Sequence, residues 1–351
     1  MKQVFLVTTI LLLFQQTHGQ TCESFISHES VAPILEGLKQ ENKSSVSAWP
    51  GFQAANVPII FSNERDFPKC VIVWDKGQAT AKLKPETYAT IPNGLYTFCG
   101  LSPMPSCPQV SVEANPESAV LFKLDNVLDG VVALKFSVAS ANFLTLAHEA
   151  FHYFGQSLQI QQGLWPTFPQ EPGFSLAARA QIVKQCYNSS PNMLEVTQKE
   201  FGSLRQAFRL AMQGAPEADV KEKAQEFLSF RAQRRLMTSE VRILDEETDR
   251  GCEQAESTME LSEGTAEYVG LQSVMNAGLM TYSEVDKWMG LALDQPTGPS
   301  EPYYRVGALA LMILNKIDPT GLQESIKQMS KASDSRETIM FMFSNWVQGK
   351  Q

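Results

Sequence analysis

Residues 148–156 read HEAFHYFGQ, and two of the chain's four histidines stand there, four positions apart around a glutamate. The other two, His18 and His28, lie far upstream. The surrounding stretch, NFLTLAHEAFHYFGQSL, has the period of an amphipathic helix beginning near Ala141, with Gly155 placed to end or bend it. Residues four apart share a helix face, so His148 and His152 can turn both imidazoles toward one ion. Glu149 stands one step along, where it can hold a water beside that ion and take its proton. The H-E-x-x-H spacing predicts a zinc ion (Zn2+) held by His148 and His152, with Glu149 as the base.

A third ligand has to come from elsewhere. Gly155 fits the glycine of the longer pattern H-E-x-x-H-x-x-G-x-x-H, but position 158 is Leu and no histidine follows His152. His28 is available only from the N-terminal segment. A carboxylate is therefore expected, and ELSEGTAEYVG at 260–270 offers one. Glu260, Glu263 and Glu267 fall on one face of a regular helix, with Leu261, Ala266 and Val269 on the other side. Such a stripe is ordinarily a solvated face. Here Glu263 suits metal ligation, and Glu267, one turn on, suits the outer nitrogen of a ligand histidine, whose tautomer it would fix.

With these residues in place the chain resembles the gluzincin metallopeptidases, which carry HExxH on one helix and a glutamate ligand on a later one. SEGTAEYV resembles the N-E-G-x-A segment of the aminopeptidase-type members, with Ser262 in place of Asn. The resemblance implies that Glu263 binds zinc. PYYRVGALALMIL at 302–314 is similar to the Y-x-x-G-A segment of the same group. It implies that Tyr304, followed by Gly307 and Ala308, faces the reacting carbonyl and donates to the developing oxyanion. The G-x-M-E-N segment of exopeptidases is absent upstream of His148, so amino-terminal trimming is not implied. The likeness rests on these three short segments. Glu263 follows His152 by 111 positions, which implies a helical insertion at about 160–250. Gln156 and Ser262 are too common as helix and surface residues to be assigned roles.

The rest of the chain bounds this reading. It has 351 residues, 43% hydrophobic and 19% charged, as an ordinary globular protein does, and it needs no metal merely to fold. A net charge of −9 argues against a nucleic-acid partner. The one basic cluster, RAQRR at 231–235, reads as the wet face of a helix. Residues 1–19 have the short positive start, apolar run and small residues of a signal peptide, with cleavage expected after Gly19. VGALALMIL, near the C-terminus, is much shorter than the roughly 20 residues of a spanning helix. No integral membrane segment is therefore expected after signal removal, and the predicted location is secreted or periplasmic. Cys22, Cys70, Cys99, Cys107, Cys186 and Cys252 predict three disulfides in an oxidising compartment. Proximity favours Cys99 with Cys107, and Cys186 with Cys252 would clip the insertion. Asn42 and Asn188 open N-glycosylation sequons.

The predicted fold class is α+β and zincin-like. A β-rich part spans residues 20–140, with strands at VPIIF (57–61), CVIVW (70–74), TFC, VSV, SAVLFKL and VVALKFSV (131–138). A helical catalytic part spans 141–351, with helices near 175–186, 197–213, 218–249, 253–276, 282–291, 303–316, 320–330 and 334–347, and a proline-rich loop at 164–173. VVALKFSV could line a cleft and pair with an extended peptide. The expected function is a secreted zinc metallopeptidase that acts on peptide or protein substrates through a zinc-activated water. The alternatives are an inactive zincin-like module that binds metal or protein, and a non-peptidase zinc hydrolase.

Overall fold

The computed structural model describes residues 21–44, 47–63, 65–83, 96–98, 120–123, 137–157, 187, 190–238, 251–294, 302–329 and 338–349. These form an α+β protein that divides into two compact units, Met1–Lys43 with Ala55–Phe143, and Ser44–Ala54 with Leu144–Gln351. The expected signal segment, residues 131–136 of the VVALKFSV strand, the loop at 164–173, Asn188, Cys99, Cys107 and Cys186 lie outside the described residues.

The first unit is built on a five-stranded sheet of order β3-β2-β1-β5-β4, where β1 is Ile59–Ser62, β2 Cys70–Asp75, β3 Gln78–Leu83, β4 Tyr96–Phe98 and β5 Val120–Lys123. β1 pairs antiparallel with β2 and parallel with β5. All four of its residues are buried, which is why its sequence is a continuous apolar run rather than an alternation. β3 is an exposed edge whose sequence, QATAKL, carries little strand signal. Its pairing is set by the turn before it. Lys76 and Gly77 both have positive φ, 47° and 80°, the backbone pattern of a two-residue hairpin whose twist matches the strands.

Two helices, α1 (Cys22–Ile26) and α2 (Ala32–Lys43), also belong to this unit, so its N-terminal stretch is less purely β than expected. A disulfide joins Cys22 to Cys70 and ties α1 to β2. Cys252, in the second unit, is disulfide-bonded too. The indole N–H of Trp74 donates to Ala55 O at 2.9 Å, and the Glu41 carboxylate accepts from Ala55 N at 3.0 Å.

The helix bearing the first histidine, α3, runs from Val138 to Ala150 and so begins three residues before Ala141. Ser137 explains the start. Its hydroxyl oxygen accepts from Ser140 N at 2.9 Å, which is an N-cap, and the residues SV at the end of VVALKFSV are therefore not strand. The chain then winds wider, as a π-helix over Phe151–Ser157 (π1). The second unit continues with α4 (Pro191–Met212), α5 (Glu217–Thr238), α6 (Gly251–Met259), a second π-helix Glu260–Gly264 (π2), α7 (Thr265–Asn276), α8 (Tyr282–Leu293), α9 (Pro302–Ile317), α10 (Pro319–Met329) and α11 (Thr338–Gln348). α9 is buried from Arg305 through Leu314, so VGALALMIL is a core helix, apolar all round because protein surrounds it. Among the described residues no helix is long and apolar enough to cross a membrane.

Two packing features hold π2 in place. The first corrects the reading of RAQRR. Arg231 and Arg234 are buried, not wet. Arg234 Nε reaches Glu200 Oε2 at 2.5 Å, its Nη1 meets Glu256, and Arg231 Nη2 reaches Glu260 Oε2 at 2.7 Å. Arg234, Glu200 and Glu256 are 0% exposed, and the Tyr187 ring lies 4.7 Å from the Arg234 guanidinium. The network links α4, α5, α6 and π2. Burial pushes the Glu256 carboxyl up, but Arg234 and Arg231 outweigh it and hold the group below its ordinary value of 4.5. Its charge stabilises the fold above that value, and the stabilisation is lost as pH falls through the depressed one. The second feature is a close helix crossing. A Cβ on Gly264 would come within 2.8 Å of Gly307 Cα, and one on Gly307 within 2.6 Å of Glu260 O.

Arg234→Met should therefore cost about 3–5 kcal/mol, because it leaves Glu200 and Glu256 buried with only their longer contacts to Arg231, at 3.4 and 3.8 Å. Urea unfolding at neutral pH checks this, and a loss under about 1 kcal/mol would mean the network is not buried as described. Gly307→Ala should cost about 1–3 kcal/mol through overpacking. Gly202→Ala, on α4 with nothing within 4 Å of the added carbon, is the neutral or mildly stabilising control in the same unfolding experiment.

Candidate metal centre

His148, on α3, and His152, on π1, bring their Nε2 atoms to 3.1 Å from each other. Glu263, on π2, places Oε2 at 3.2 Å from His152 Nε2 and 3.4 Å from His148 Nε2. The cluster is largely buried, and it can hold a metal ion. The structure thus gathers the two motif histidines and the carboxylate chosen from the later helix. His28 is not part of this group; its Nδ1 lies 2.8 Å from Ser30 Oγ.

The protons on the outer nitrogens follow from the partners. Glu267 Oε2 lies 3.2 Å from His148 Nδ1. Where that carboxylate accepts, Nδ1 carries the hydrogen, and the neutral ring then keeps the Nε2 lone pair that a metal ion needs. Glu267 is itself held by the Trp288 indole N–H, which donates to Oε1 at 2.7 Å, and by the Arg305 guanidinium, which also touches Oε1. Arg305 lies over the Trp288 ring at 4.8 Å. The approach of α7 to α3 is close enough that a Cβ on Gly270 would meet Leu144 O at 2.8 Å, which brings Glu267 within reach of His148.

Charge is arranged to match. Burial pushes the Glu263 carboxyl up, but His152 and His148 outweigh it and hold the group well below its ordinary range. Burial lowers the proton affinity of His152, yet Glu263 more than offsets this, with a smaller contribution from Glu149, and raises it. Glu149 is half-buried on α3, close enough to His152 to act on it electrostatically. Tyr304 is half-buried with its ring stacked 5.9 Å from that of His148, whereas its neighbour Tyr303 is fully buried.

Two expectations need correction. Glu260 does not join Glu263 and Glu267 beside the histidines. It lies in π2, whose i→i+5 winding departs from the helical period used to group the three. Glu260 is instead paired with Arg231. Gln156 and Ser262, passed over as common residues, are at the site. Gln156 Oε1 lies 2.7 Å from His152 Nδ1, and Gln156 Nε2 donates to Ser262 O and Thr265 Oγ1, each at 2.7 Å. The available sequence signal was position: Gln156 stands four residues after His152, one turn along.

Glu267→Ala would leave His148 Nδ1–H, the Trp288 N–H and the Arg305 charge without their shared acceptor. Metal affinity should fall about 10–100-fold, as outer contacts of ligand histidines generally cost. Competition against a chelator of known affinity measures it, and an unchanged affinity would show that Glu267 does not orient His148.

No protein-family model matches this chain, and neither does any curated protein or solved structure. A functional reading therefore rests on the donor atoms themselves.

Proposed function

We infer that the protein is a zinc-dependent metallopeptidase of the gluzincin type, with a zincin-like catalytic part, exported to an oxidising compartment. The observation that carries this reading is the convergence of three lone-pair atoms, His148 Nε2, His152 Nε2 and Glu263 Oε2, at 3.1–3.4 Å. A tetrahedral site with bonds of about 2.0–2.1 Å has edges of about 3.3 Å. Two imidazoles with one carboxylate favour zinc over calcium or magnesium, which prefer all-oxygen sets. The H-E-x-x-H spacing, the SEGTAEYV segment and the YYRVGA segment point the same way. The Cys22–Cys70 disulfide is compatible with export.

His148, His152 and Glu263 would hold the ion. When bound, zinc lowers the pKa of water and polarises a carbonyl. Glu149 accepts the proton released as water attacks the peptide carbon and passes it to the departing nitrogen. Tyr304 donates its phenolic hydrogen to the carbonyl oxygen as negative charge develops there. Glu267 keeps His148 in the tautomer that leaves Nε2 free.

Metal analysis of pure protein, joined to cleavage of a diverse peptide library, tests the reading. Stoichiometric zinc with peptide cleavage is expected. Protein that retains no zinc would remove the reading, and zinc without turnover would leave a binding module. Glu149→Gln should keep the ion and abolish cleavage, since it removes the base and no ligand. Tyr304→Phe should lower kcat about 100–1000-fold with KM much less affected. Tyr303→Phe, altered in the protein interior, should leave kcat near normal; a larger loss there than at Tyr304 would sink the assignment of the oxyanion donor.

A further inference from the structure

The geometry points to Gln156 as a positioning residue that sets the tautomer of His152 and locks π1 to π2, so that the ligand histidine and the ligand glutamate are held as one unit. This rests on the metal-site reading above.

Ser262 O is a backbone carbonyl, an acceptor only, and it lies 2.7 Å from one end of the Gln156 amide. That end must be the NH2. Thr265 Oγ1, also 2.7 Å from the same end, agrees with this. The Thr265 hydroxyl has its own acceptor in Leu261 O at 2.6 Å, so its oxygen can receive the amide hydrogen. With the NH2 fixed, the Gln156 oxygen has to face His152 Nδ1 at 2.7 Å. An amide oxygen accepts, so Nδ1 carries the hydrogen, and in the neutral ring Nε2 keeps the lone pair that a metal ion needs. One carbonyl on π2 thereby fixes which nitrogen of a histidine on π1 is free to bind.

The same side chain spans the two ligand-bearing segments. Gln156 is buried, lies four residues after His152, and bonds to Ser262, the residue next to Glu263. A helix that continued from α3 in regular winding would group side chains differently; the π winding of both segments is what the bridge joins. The contact is to the backbone of Ser262, so the identity of that side chain is immaterial to it. His148 and His152 are thus oriented by unlike partners, a charged carboxylate on one and a neutral amide on the other.

The test compares wild type with Gln156→Met and Gln156→Asn. Methionine keeps the volume and loses every hydrogen bond; asparagine keeps the amide but is one carbon too short to span both partners. Gln272→Met is the control. Gln272 also bridges helices by its amide, to Asn276 and Asn315, outside the metal cluster. Zinc affinity is read by chelator competition, ligand geometry by the visible absorption of the cobalt-substituted proteins, and fold stability by urea unfolding of the metal-free forms. Each Gln156 variant that folds should lose about 10–100-fold in zinc affinity and show an altered cobalt spectrum. Gln272→Met should match wild type in both, while its metal-free stability falls about as far as that of Gln156→Met. Wild-type affinity and spectrum in a folded Gln156 variant, or an equal loss in Gln272→Met, would overturn the assignment and leave the peptidase reading intact. Wild-type protein that binds neither zinc nor cobalt would overturn both.

Discussion

Two imidazole nitrogens and one carboxylate oxygen lie 3.1–3.4 Å from one another, an arrangement that can hold a metal ion. That arrangement organises the helical unit. Each histidine has its outer nitrogen committed to a partner, so neither can rotate to turn its lone pair elsewhere without losing a buried hydrogen bond. The depressed proton affinity of Glu263 and the raised one of His152 show how strongly the two groups act on each other across this short distance.

Behind the cluster lies a second set of charges with the opposite character. Arg231, Arg234, Glu200, Glu256 and Glu260 are paired with one another, although Arg231 Nε and Glu260 Oε1 have no hydrogen-bond partner. Networks of this sort contribute little net stability relative to apolar packing, and their best attested value is in specifying one arrangement over others. Here Glu260 opens π2 and Glu263 stands in the same segment. The pairing of Glu260 with Arg231 fixes the rotation of that segment from its far side. α4 and α5, which lie between the histidine motif and Glu263 in sequence, thereby buttress the π2 segment.

What the sequence made legible, and what it hid, divides along physical lines. His148, His152, Glu263 and Glu267 could be read because ligand chemistry coincides there with a regular helical period, and the structure brings these four together. The α+β class could be read from VPIIF and CVIVW on one side and from the long periodic runs on the other. Glu260 was grouped wrongly because a π turn leaves no mark in a 3.6-residue pattern. RAQRR was taken as wet because its partners are Glu200, Glu256 and Glu260, and a charge run does not reveal long-range pairing. β3 was missed because QATAKL is an edge strand whose only strong signal is the turn at Lys76–Gly77. Gln156 was passed over because an amide has no chemistry of its own to advertise; its role appears only when a carbonyl from a distant segment fixes its orientation.

The position of Tyr304 relative to the cluster follows from backbone alone. Gly264 adjoins Glu263, and Gly307 lies one turn after Tyr304. At these two residues π2 and α9 approach until no Cβ fits between them. A crossing filled by side chains can shift as rotamers change, whereas one made of two main chains has almost no slack. The ring of Tyr304 is thereby held against His148 by the same contact that seats the Glu263 segment. Two glycines with no polar atom to offer thus fix how closely the Glu263 segment and the Tyr304 helix approach.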